Sequence, residues 1–79
     1  MAFHIIRVTD EEGKRPSTSY LVPRNSLGNS VEERYKFSNS KKSEAVKFKN
    51  KGAATVVLRH MLESDVHFAK PAYYRVSQS

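Results

Sequence analysis

The chain reads as a small α+β domain, an antiparallel β-sheet of four to five strands with one amphipathic helix packed on one face. Three observations predict this. Apolar residues at helical spacing occur once, with Ala54, Val57, Leu58, Met61 and Leu62 at i, i+3, i+4, i+7 and i+8. Short runs rich in β-branched and aromatic residues lie on both sides of that helix: FHIIRV, TSYLV, RYKF, EAVKF and YYRV. Clusters of Gly, Pro, Asn and Ser separate the runs. The 79 residues suffice for one domain, residues 1–79, and no more. A chain of this size buries only about 60–65% of the surface its unfolded form exposes, so its stability margin is thin.

The first strand is expected over Phe3–Val8, where Phe3, Ile5, Ile6 and Val8 are β-formers. Asp10 to Lys14 is a turn in which Gly13 can take positive φ, and Pro16 biases Arg15 away from helix. Thr18–Val22 forms a second strand that Pro23 ends, since proline cannot donate to a central ladder. Arg24–Ser30 is a polar surface loop, and Val31-Glu32-Glu33 can add a helical turn after Ser30. Arg34–Phe37 alternates charged and aromatic residues as a half-buried strand does, and Glu44–Phe48 resumes the alternation after a polar turn.

Asn50 is placed to cap the helix, its side-chain oxygen accepting from amides two or three residues on. Val56 is the one misfit in the helix's polar face, and Ser64-Asp65 closes it. Val66–Lys70 is ambiguous. After Pro71 a last strand, Tyr73–Val76, gives the order β-β-β-β-α-β.

Fourteen Lys and Arg against eight Asp and Glu leave a formal charge of +6. The excess is uneven: the first thirteen residues are net acidic, whereas residues 41–51 contain five lysines and one glutamate. A localised positive field attracts nucleic acid or an acidic protein surface. Period-two alternation sharpens this. If Tyr35, Phe37, Val46, Phe48, Tyr74 and Val76 face the helix, the opposite face carries Arg34, Lys36, Lys47, Lys49, Tyr73 and Arg75. Such a face offers phosphate contacts and one stacking aromatic. The bland alternative is the polar outer face that any one-sided sheet needs, with lysines guarding its edges. Lys14, Arg15, Lys41 and Lys42 are peripheral candidates, and Lys51 in the first helical turn is an anion candidate beside an ordinary cap.

Other chemistries find little support. Three histidines, His4, His60 and His67, show no i, i+4 pairing and no cysteine joins them, so no metal or other cofactor is expected. No G-x-S-x-G elbow or glycine-rich phosphate loop occurs, and the carboxylates cluster in turns, so a non-enzymatic role is expected. No apolar run reaches the ~18–20 residues of a membrane span. The absence of cysteine fits a cytoplasmic protein, and either a monomer or a homodimer paired through a sheet edge is compatible with the pattern.

SKKSEAVKFKNKGAATVVLRHML is similar to the end of a double-stranded-RNA-binding domain, where lysines precede an Ala-Ala helix. Here Lys41-Lys42 stand too far from Ala53-Ala54, and strand-like residues intervene. The succession of hairpin, third strand and helix also resembles the arm-binding domains of some integrases, as a layout only. The leading expectation is a basic DNA- or RNA-binding domain. The alternative rests on size: a compact, cysteine-free chain resembles the small accessory proteins that phages encode to bind and inhibit a host protein or nucleoprotein complex.

Overall fold

The computed structural model describes residues 2–10, 12–24, 28, 30–39, 41–64 and 72–78. Four strands, β1 (Phe3–Thr9), β2 (Ser17–Pro23), β3 (Tyr35–Ser38) and β4 (Ala72–Gln78), form one sheet. Every pairing is antiparallel and the order is β3-β2-β1-β4. A single turn of helix, α1 (Val31–Arg34), precedes β3, and the long helix α2 (Lys51–Ser64) lies between β3 and β4 in sequence. The expected α+β architecture is therefore present, with four strands in the ladder.

β1 and β2 form the expected hairpin, with Arg7 opposite Ser19 and Val8 opposite Thr18. Gly13 sits in the connecting loop at φ +80, a conformation that costs an L side chain about 1–2 kcal/mol. β1 pairs with β4 along its whole length, from Phe3–Gln78 to Thr9–Ala72. The first and last strands thus close the sheet, and β1 is central.

One expectation needs correction. The alternating Glu44–Phe48 run is not a ladder strand. Lys42–Glu44 forms a turn of 3₁₀-helix, and only Phe48 makes a β-bridge, to Phe3. Beyond the Ile6–Tyr20 pair, β1 and β2 splay apart, and Val46–Phe48 fills the gap. Val46 N donates to Leu21 O at 2.9 Å, while Phe48 N and Phe3 N donate to each other's carbonyls at 2.8 and 2.9 Å. The segment satisfies backbone groups that the splay would otherwise leave unpaired. Arg34 also moves, from strand to the end of α1, and the helical turn after Ser30 is real.

α2 forms as expected. Asn50 Oδ1 accepts from Ala53 N at 2.8 Å, a side-chain cap on the third helical amide. Ala54 and Met61 are buried against Ile5 and Leu21, with Phe3, Val31, Tyr35, Phe37, Phe48, Val57, Leu58 and Val76 packed around them. Leu62, expected in the stripe, is 42% exposed, and the misfit Val56 is exposed. Past the helix the same sheet face continues with the Arg7 guanidinium 4.8 Å over the Phe37 ring, whose centroid lies 5.6 Å from that of Tyr74. Val66–Lys70 and His67 lie outside the described residues.

Candidate functional site

Strand pairing sorts every strand residue onto one of two faces. The helix-covered face carries Phe3, Ile5, Arg7, Leu21, Tyr35, Phe37, Tyr74 and Val76. No buried residue of the other face belongs to the core cluster that α2 closes. The cross-strand rows of that other face read Thr18, Val8, Tyr73, then Ser38, Tyr20, Ile6, Arg75. At the splayed end, Lys36 stands beside Val22 and Ser77 beside His4.

The centre of this open face is apolar. Ile6, Val8 and Val22 are 5, 7 and 6% exposed, close to the values of the helix-covered core. Tyr20 and Arg75 are the cross-strand neighbours of Ile6, Thr18 and Tyr73 those of Val8, and Lys36 that of Val22. Tyr73 is 55% exposed, a large aromatic presented to solvent at the border of the floor.

His4 is buried in the same face, with its ring 5.7 Å from that of Tyr20. Burial, and then the positive charges of Lys42, Lys47 and Arg75, hold its imidazole below the ordinary histidine value. Lys42 from the 3₁₀ turn and Lys47 from the wedged segment both act on a residue of the open face. Lys36 stands on edge strand β3 and Arg75 on edge strand β4. None of the four strands contains Asp or Glu.

The expected site residues therefore separate into groups. Lys36, Tyr73 and Arg75 lie on the open face, and Lys42 and Lys47 act at its splayed end. Lys36 and Arg75 are not neighbours, because β3 and β4 are opposite edges; the single contiguous basic patch becomes a rim around an apolar floor. Arg34 is engaged elsewhere, its Nε donating to Gly28 O at 3.0 Å. Lys14 and Arg15 are exposed in the β1–β2 loop, and Lys41, Lys49 and Lys51 are exposed around the 3₁₀ turn and the start of α2.

His4, Tyr20, Ile6, Val8 and Val22 were missed as members of this surface. The signal was in β1 and β2, where apolar residues occupy both parities, Phe3 and Ile5 on one side and Ile6 and Val8 on the other. That doubling marks a central strand whose second face is also apolar. Among the described residues, no three His, Cys, Asp or Glu are grouped to hold a metal, and no helix is long and apolar enough to cross a membrane. Set against protein-family models, curated proteins and solved structures, the chain matches none.

Proposed function

We propose that this is a small, non-enzymatic, cytoplasmic nucleic-acid-binding protein whose open sheet face is the binding surface. The observation that carries the reading is a sheet face outside the α2 core, with no carboxylate in its strands, with Lys36, Arg75, Lys42 and Lys47 around it and exposed Tyr73 on it. The rim cations hold phosphates, and Tyr73 offers a stacking surface. Lys14, Arg15, Lys41, Lys49 and Lys51 are peripheral contributors to the same positive field. Each phosphate neutralised releases counterions, so affinity falls steeply as salt rises.

An anisotropy titration with labelled oligonucleotides at two salt concentrations tests the reading. Binding at low salt, weakened by salt and by the double reversal Lys36→Glu, Arg75→Glu, is the expected result. No binding at low salt rejects it.

Exposed Tyr73 favours one second reading, an accessory protein that docks this face on an acidic host protein surface and inhibits it. A partner retained from nuclease-treated lysate by the wild-type protein, and lost with Tyr73→Ala, would select that reading over the first.

A further inference from the structure

We infer that Lys42, Lys47 and Arg75 form one oxyanion subsite around His4, at the splayed end of the sheet, suited to a phosphate group. The inference gives the proposed function its principal phosphate contact, and it rests on that reading for the source of the phosphate. Strand register supplies the geometry. Phe48 bridges Phe3 and both pack on the core, so Lys47, its neighbour in the extended segment, points to the opposite face. The same antiparallel register sets Lys47 opposite His4 on one side, as Ser77 stands opposite it on the other. Each lies one inter-strand spacing away, about 4.8 Å. Arg75, two residues before Ser77, shares that face and is diagonal to His4, about 7–8 Å off. Lys42 enters from the 3₁₀ turn, and its charge reaches His4 with those of Lys47 and Arg75. All three cationic residues are exposed, so the subsite needs no opening of the sheet.

Arg7, Arg24 and Arg34 are engaged elsewhere, over the Phe37 ring and with the carbonyls of Tyr35 and Gly28. Lys42, Lys47 and Arg75 instead converge on one buried imidazole, and the charges that act on it are all positive. Glu44 shares the turn with Lys42 but is not among them, and β2 contributes only the Tyr20 ring. Three cations with no carboxylate between them repel one another, and a tetrahedral oxyanion relieves that repulsion. Its oxygens can accept from an arginine fork and two ammonium groups at once. His4 makes the subsite proton-linked. Burial, and then the three cations, keep its imidazole below the ordinary histidine value. An anion that neutralises those cations raises it again, and by reciprocity a protonated His4 tightens the anion. Binding therefore strengthens as pH falls through the His4 titration.

The test uses the full chain with two probes: sulfate, a phosphate-like dianion whose charge is constant over the histidine range, and a labelled mixed-sequence oligonucleotide. The His4 imidazole signals are followed by NMR against pH, in sulfate and in chloride at matched ionic strength, so that general screening cancels. Lys47→Gln and Arg75→Gln replace exposed side chains and should keep the wild-type melting curve. Expected are a His4 midpoint raised by sulfate and by oligonucleotide, and a smaller rise in either variant. Oligonucleotide affinity should be higher at pH 5.5 than at pH 7.5, and this difference should shrink in His4→Gln. Each unit by which the anion raises the midpoint corresponds to about a tenfold gain in affinity on protonation. A midpoint raised by oligonucleotide supports the subsite with backbone phosphate as its ligand. A midpoint raised by sulfate without oligonucleotide binding supports it for a free oxyanion and removes the nucleic-acid reading. Oligonucleotide bound with the His4 midpoint unmoved, or moved equally in wild type and both variants, overturns the subsite and leaves that reading in place. No response to either probe removes both.

Discussion

Ile5 and Ile6 are adjacent in β1 and almost equally buried, yet they sit in different kinds of surroundings. Ile5 belongs to a core closed by α2, with Leu21, Ala54 and Met61 as buried partners. Ile6 lies on the opposite face, outside that core, with Tyr20 and Arg75 as its cross-strand neighbours. Burial under a packed helix is structural. The two faces of one strand thus differ, one holding the fold together and the other being the surface of the proposed function.

The largest expected effect separates these faces through another adjacent pair. Leu21→Ala opens a cavity under α2 and should cost about 2–5 kcal/mol, enough to unfold much of so small a domain. Val22→Ala on the open face should cost roughly 1–1.5 kcal/mol, the transfer term alone, since neighbouring side chains relax into the space. Urea denaturation midpoints measure both. Equal losses would mean that the second face is as tightly packed as the first.

Phe48→Ala tests the wedged segment that joins the two faces. Phe48 is half-buried, packs edge-on to Tyr35 at 6.3 Å, and anchors the bridge to Phe3. A loss of about 2 kcal/mol is expected, with faster hydrogen exchange at the amides of Phe3 and Phe48. Unchanged exchange there would show that the bridge does not depend on the ring. Asn50→Ala should cost about 1 kcal/mol by removing the cap on Ala53, and should leave signals from the open face unshifted.

The smallest effect is a pH slope. The folded-state pKa of His4 is lowered from 6.5, so the unfolded chain takes up its proton first. The stability that His4 contributes is complete above about 6.5 and declines as pH falls from there towards its folded value. Denaturation at pH 7.5 and 5.5 should show this loss in wild type, and a flatter dependence in His4→Gln. Identical slopes would contradict the burial of His4 among Lys42, Lys47 and Arg75.

Local patterns in the chain were enough to place most elements. The Asn50 cap and the Ala54, Val57, Leu58, Met61 stripe set α2 because capping and helical spacing are short-range properties. The alternation of Tyr73, Tyr74, Arg75 and Val76 likewise assigned the faces of β4. Strand order was not legible in the same way. Period two tells which side a residue points to, but not that β3 and β4 would be opposite edges, which depends on non-local pairing through β1 and β2. The Val46-Lys47-Phe48 alternation looked like a strand for a related reason. It does run extended, but the room it occupies is created by the splay of two distant strands.

The division between the faces can be read directly from methyl groups. In a ¹H–¹³C spectrum of the protein titrated with oligo-dT at low salt, the methyl signals of Ile6, Val8 and Val22 should shift, while those of Ile5, Leu21, Val57 and Leu58 stay in place. Shifts confined to the second set, or spread equally over both, would contradict the assignment of the open face as the binding surface.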